Sequence, residues 1–204
     1  MSEEFKSLYK LNQTDIEPAS RVIARALFED PLTSYYFPNE NTRLEKSSLI
    51  FEYHLRYAIL FGYAFASSEN MEAIAVWRRP HYEFITPERQ IKAGARKIIN
   101  NFSKKFFVRV SPIDKVIINV HKEFAPFPHW FLSPLAVDPE YQGKGYASKL
   151  MQPMIAKCER EGFPIYLNTQ VKRNVEIYKH LGFKVIDKTT LPQVNLPHWF
   201  LLKE

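Results

Sequence analysis

Apolar residues recur at helical spacing over two early stretches of the chain. Ile16, Ala19, Ile23, Ala26 and Leu27 outline one face of a helix. Thr14 or Asp15 stands where its N-cap belongs, with Glu17 and Pro18 suited to the first turn. Asp30-Pro31 reads as its end. Residues 32–38 are aromatic and without period. A second face, through Leu44, Leu49, Ile50, Tyr53, Leu55, Tyr57 and Leu60, predicts a helix from a cap at Asn41 to about Phe61, stopped by Gly62. Ahead of both, residues 5–11 alternate loosely and read as a first strand. After them the period falls to two. Residues 63–67 and 71–77 predict a hairpin across the polar turn Ser68-Glu69-Asn70.

Residues 81–127 leave this sheet rhythm. Thr86-Pro87-Glu88 opens a helix with Ile91, Ala95, Ile98, Ile99 and Phe102 on one face and Lys92, Arg96 and Lys97 on the other. Ser111-Pro112 opens another, over 113–124. The region reads as a helical insertion, or a lid, on a strand connection. From 129 onward the pattern is strand, helix, strand, helix, strand, strand. A strand–helix–strand unit of this kind is a parallel, right-handed crossover, here with an antiparallel finish. Pro128-His129-Trp130-Phe131-Leu132 recurs as Pro197-His198-Trp199-Phe200-Leu201, which marks two aromatic-rich strands.

The totals fit one large domain or two small ones. The chain has 204 residues, of which 46% are hydrophobic and 15% aromatic. A formal net charge of +6 admits an anionic ligand, a nucleic acid or a membrane surface, and is first of all a solubility charge. The single cysteine, Cys158, excludes an intrachain disulfide and a multi-cysteine metal site. No stretch has the length of a membrane span, and the start of the chain lacks the apolar run of a signal peptide. A soluble cytoplasmic protein is the expectation.

The chemistry gathers around residues 135–150. Gly143 and Gly145 let the backbone turn sharply and present bare N–H groups. A helix starts directly behind them, so its unpaired donors and positive dipole end face the same space. That arrangement holds a phosphate or pyrophosphate. A dinucleotide fingerprint fails, because the third glycine position holds Ser148, and the two glycines lack P-loop spacing. Gln142-Gly143-Lys144-Gly145-Tyr146-Ala147 resembles the acetyl-CoA-binding motif Q/R-x-x-G-x-G/A of the GCN5-related N-acetyltransferase (GNAT) superfamily. A second stretch, from Asn174 through Tyr178 to Gly182-Phe183, looks like the N-x-x-x-(Y/F)-x-x-x-G-F signature of the same superfamily. The element order upstream is also similar, so the resemblance spans nearly the whole chain apart from the insertion.

The resemblance implies an α/β (α+β) GNAT fold: one domain over 1–204, with a central mixed, twisted sheet of about seven strands flanked by helices. It implies an acetyl-CoA-dependent N-acetyltransferase acting by direct attack of a primary amine, from a small molecule or a peptide, without a metal. It assigns the pyrophosphate to the amides of Gln142, Gly143, Lys144, Gly145, Tyr146, Ala147 and Ser148. The pantetheine arm falls to Leu135, Ala136, Val137, Asn168 and Asn174. Tyr178 matches the position that returns a proton to the sulfur. Pro134 cannot donate to a ladder and fits the bulge that the resemblance implies in this strand, which would turn the Leu135 amide toward the thioester oxygen.

The base is open at this level. Residues 129–137 hold no carboxylate, and His129 is the nearest titratable side chain, with His198, His121 and ordered water as alternatives. Tyr35, Tyr36, Phe37, Trp77, Trp130 and Trp199 could line an acceptor pocket, with core packing as the default. Asn174 also suits a helix N-cap. The partners implied are an amine acceptor, no nucleic acid and no membrane, with a homodimer left open. Two rival classes stand: an acyl-CoA-binding regulator without catalysis, and a nucleic-acid module using the bases and aromatics of 104–109.

Overall fold

The structure, a computed structural model, describes residues 5–204. Seven strands form one sheet in the order β1-β2-β3-β4-β5-β7-β6. They are β1 (Tyr9–Lys10), β2 (Gly62–Ala66), β3 (Ala73–Arg78), β4 (Trp130–Val137), β5 (Ile165–Thr169), β6 (Lys184–Leu191) and β7 (Leu196–Lys203). Only β4 and β5 pair in parallel; every other neighbour is antiparallel. The parallel pair is joined by α7 (Tyr146–Glu161), the predicted crossover. The expected first strand shrinks to Tyr9–Lys10. Its apolar residues Phe5, Leu8 and Leu11 are buried nonetheless, and Phe5 stacks on Phe65 at 4.8 Å.

Strand alternation sends side chains to two cores. Ala73, Ala75, Trp77, Trp130, Leu132, Ile165 and Leu167 pack with α7 residues Leu150, Met151 and Met154 and with Val175 and Tyr178 of α8 (Lys172–His180). Ala64, Ala66, Ile74, Val76 and Ala136 face the other way, onto α1 (Ile16–Ala26) and α3 (Glu40–Phe61). The α1 face is the predicted one, with Ile16, Ala19 and Ile23 buried. Its entry differs. Asp15 holds the expected N-cap position but makes no side-chain cap bond there; with Asn12 it forms instead the capping box of the 3-10 turn Gln13–Asp15, Asn12 accepting from the Thr14 amide and Asp15 from the Asn12 amide.

Asp30-Pro31 does not simply stop α1, which ends at Ala26. Asp30 caps a new helix, α2 (Pro31–Tyr36), accepting from the Leu32 and Thr33 amides at 3.0 Å each. Proline at a first helical position is favourable, so the dipeptide that ends one helix also starts another.

The insertion between β3 and β4 is three helices: α4 (Pro87–Lys92), α5 (Ala95–Asn101) and α6 (Lys104–Phe124). The first predicted helix breaks at Gly94, which takes φ 90°. The predicted start at Ser111-Pro112 is not a boundary: α6 runs through Pro112. Val108, whose carbonyl loses its partner there, is 75% exposed, so water can serve it. Ile117, Val120 and Ala125 pack on Phe131, Tyr166, Phe200 and Leu202, which makes α6 a layer over the β4–β5–β7 region of the sheet. Phe106 stacks on Phe37 and Phe102 packs tilted against it, so these rings are spent on each other. Among the described residues no helix is long and apolar enough to cross a membrane.

Candidate active site

The site grows from an irregularity in β4. Ala75 pairs with Leu135 and Trp77 with Leu132, so two steps on β3 meet three on β4. The extra residue lies at Ser133-Pro134, the predicted bulge. On its other side β4 pairs with β5 only at Trp130–Ile165 and Phe131–Tyr166. Beyond Phe131 the two parallel strands part, and the main chain of Leu135–Val137 is free of β5.

The loop after β4 is held from below. Asp138 accepts both guanidinium contacts of Arg25, at 2.9 and 2.6 Å, and also receives the Glu140 amide. The Gln142 side chain donates back to the Val137 carbonyl at 3.2 Å. Gly143 and Gly145 then take φ 77° and 82°. A Cβ at either would meet no atom within 4 Å, so both open onto free space. Gly145 caps α7 with no side-chain hydrogen bond, and the first main-chain bond into that turn is Lys149 N–H to Gly145 at 3.0 Å. The donors of Tyr146, Ala147 and Ser148 are left for a ligand.

A cleft of about 370 Å³ opens over these donors. Of the residues expected to touch the coenzyme, Leu135, Ala136, Val137, Gln142, Gly143, Gly145, Tyr146, Ala147, Ser148, Asn174 and Tyr178 line it. Lys144 and Asn168 do not. Lys144 folds back onto the Glu140 carbonyl at 3.0 Å, and Asn168 Oδ1 meets His198 Nε2 at 3.1 Å. Asn174 is not the N-cap of its helix, which starts at Lys172 after Val171; its amide reaches Thr169 Oγ1 at 3.5 Å. Ala26, Leu27, Tyr141, Arg173 and Ile177 complete the wall. Arg173, a cation next to the Asn174 motif, carried a readable signal. Ala26 and Leu27 reach the cleft only because α1 ends beside β4.

Tyr178 is 9% exposed and lines the cleft, and its hydroxyl makes no hydrogen bond to the described residues. Burial pushes its phenol up to about 12, so it holds its proton at neutral pH. His129 does not join it. It precedes β4 at the end away from Leu135, and it is fully enclosed. Its Nε2 meets Nε2 of His121 at 2.7 Å and its Nδ1 meets the Phe127 carbonyl at 2.7 Å. Burial lowers His129 to about 4 and His121 to about 2, so both rings are neutral. His198 is also enclosed, on Asn168, and burial lowers it to about 4. The recurring His-Trp pairs therefore serve different contacts.

The residues present suit an extended ligand with a pyrophosphate at one end: an uncapped helix start, two open left-handed glycines and a strand edge freed from its neighbour. The profile of the Acetyltransferase (GNAT) family matches residues 97–183. An uncharacterized N-acetyltransferase of Schizosaccharomyces pombe is 28% identical over 181 residues, covering 85% of this chain and 72% of its own. The fold is shared with a histone acetyltransferase HPA2 and related acetyltransferase of Corynebacterium glutamicum, at TM-score 0.67 and 20% identity over 97% of this chain and 94% of that one. It is shared too with an arylalkylamine N-acetyltransferase 7 of the mosquito Aedes aegypti, at TM-score 0.65 and 13% identity over 96% and 85%. The parted strands, the glycine loop and the Tyr178 helix all lie inside the segment that the acetyltransferase (GNAT) family profile matches.

Proposed function

We propose that this protein moves an acetyl group from acetyl-CoA to a primary amine of a small molecule or peptide by direct attack. The observation that carries the reading is the cleft itself, where free helix-start amides, the unpaired edge of Leu135–Val137 and the Tyr178 hydroxyl share one wall. Acetyl-CoA supplies an acyl group activated as a thioester. The amides from Gly143 to Ser148 bind the pyrophosphate, with Arg173 adding positive charge. The main chain of Ala136 and Val137, free of β5, orients the pantetheine arm. The Leu135 amide, beside the bulge, polarises the acyl carbonyl.

Tyr178 holds the proton that the departing sulfur needs, and its raised pKa keeps that proton in place until the thiolate forms. His129, His121 and His198 stay outside the chemistry, since burial and mutual contacts hold them away from the cleft. The amine loses its proton to water entering the open cleft. Fold neighbours described as arylalkylamine and polyamine N-acetyltransferases support an amine as acceptor.

A thiol-release assay with acetyl-CoA over a panel of primary amines tests the reading. Tyr178→Phe should lower kcat about 100-fold, the scale of a lost general acid, with coenzyme affinity nearly unchanged. Equal turnover in the variant would remove Tyr178 from the chemistry. Acetyl-CoA binding without turnover of any amine would make the chain a regulator.

A further inference from the structure

A second polar centre lies on the α3 side of the sheet, away from the glycine loop. Arg78 ends β3, opposite Phe131, on the face that also carries Ile74 and Val76. Its guanidinium sits 4.4 Å from the Phe131 ring and 5.9 Å from the Tyr57 ring. Its one hydrogen bond among the described residues runs from Nη1 to the Glu83 carbonyl, at 2.9 Å. No carboxylate among those residues comes within 4.0 Å of it.

The surroundings are polar and incompletely satisfied. The Tyr166 hydroxyl, on a side chain 0% exposed, has no hydrogen-bond partner, and neither has Nδ1 of His54. Asp114 reaches in from α6 and accepts from the Tyr36 hydroxyl at 3.2 Å. Asp114 is exposed by area, yet desolvation by its neighbours pushes its carboxyl up to about 6. Arg78 is half-buried and Asp114 exposed, so water reaches this recess between α3 and α6 from the α6 side, while the Tyr166 hydroxyl and His54 Nδ1 are closed off from it. Arg78 and Asp114 are close enough to act on each other's titration without forming an ion pair.

A crowded guanidinium with no carboxylate in contact is costly, and ring contacts offset only part of that cost. Its planar fork is built for two parallel hydrogen bonds to a carboxylate. The strand carries the recess to the reaction: Leu135 lies four residues beyond Phe131 on β4, on the order of 10 Å at strand spacing. We propose that Arg78 determines acceptor specificity by receiving the carboxylate of an amine several bonds longer than an α-amino acid, so that the enzyme prefers amino-carboxylates to simple amine cations. A cationic arylalkyl chain in the same recess would meet Arg78 uncompensated. The inference rests on the acetyl-transfer reading for its amine, but not for its carboxylate.

The test compares 6-aminohexanoate with hexylamine, which differ only by the carboxylate. The native enzyme should favour 6-aminohexanoate in kcat/KM by about 30-fold, the scale of a charged hydrogen-bonded contact. Arg78→Gln should remove at least about tenfold of that preference, through the KM for 6-aminohexanoate. Arg78→Lys should fall between. Separately, hexanoate should raise the Tm of the native protein and not that of Arg78→Gln, whether or not any amine turns over. For a variant that fails to fold, hexanoate competition against the amine and not against acetyl-CoA serves in the native enzyme. Hexylamine used as well as 6-aminohexanoate, or no hexanoate effect on the native protein, overturns the proposal. Hexanoate binding that depends on Arg78, without acetylation of either amine, overturns the acetyl-transfer reading instead.

Discussion

The glycine-loop cleft and the Arg78 recess share strand β4 and are built in opposite ways. The cleft presents mainly main-chain donors from a contiguous run, 142–148, behind one bulged strand. The recess gathers side chains from β3, α3, β4, α6 and β5, five segments far apart in the chain. Main-chain donors are alike in every residue, so glycines and a helix start suffice to place them. A side-chain constellation exists only after packing. In the proposed reading the acyl donor falls to the contiguous element and the selectivity for the acceptor to the assembled one.

The largest effect expected from breaking this comparison falls behind the recess, at the His121–His129 pair. Both rings have folded pKa values depressed by burial, so the unfolded chain binds protons that the folded chain does not. Their contribution is complete above about pH 6.5 and is lost as pH falls. For His129, the loss from about pH 6.5 to pH 4 is on the order of 3 kcal/mol. Urea melts at pH 7, 5.5 and 4 read this directly, and His129→Gln should flatten the slope. Stability that is level from pH 7 to 4 would mean the rings are not held neutral.

A smaller effect tests the cleft. Gly145→Val forces a β-branched residue onto φ 82°, a strain of about 1–3 kcal/mol that the loop can relieve only by turning its amides away. Calorimetric titration should show acetyl-CoA bound about 30-fold more weakly, equivalent to about 2 kcal/mol. Unchanged affinity would remove the loop amides from the binding reading. The smallest effect sharpens how the cleft is held. Asp138→Asn loses the charge that holds Arg25 of α1 against the loop. Arg25 is 48% exposed, so solvent screening limits the loss to about 1 kcal/mol. A Tm lower by about 3 °C is the expected readout. A drop several times larger would make the pair a buried strut.

The difference in construction also explains what could be read early. Both glycine motifs, the crossover at α7 and the bulge at Pro134 follow from local spacing, and the structure shows each geometry. Asp30-Pro31 misled because the same dipeptide stops one helix and caps the next. Pro112 misled because its cost is met by solvent on an exposed face. Lys144 and Asn168 stood in the right segments but turn to contacts outside the cleft. His129 was the nearest titratable group in the chain, yet β4 carries it away from the bulge into a closed pair with His121. Arg78 follows the predicted strand 71–77 directly; only the packing of α3 and Phe131 around it shows a cation with no carboxylate in contact.

By itself the sequence determined most of the helices and strands, the parallel crossover and the glycine turn ahead of α7. These depend on interactions within a few residues, or on periods that one chain segment carries alone. The tertiary structure decided which histidines are buried, where the strands part, and that α1 and α3 stand against one sheet face with α6 over its β4–β5–β7 region, leaving a recess around Arg78. Burial and charge pairing are sums over segments distant in sequence, and no single segment states them.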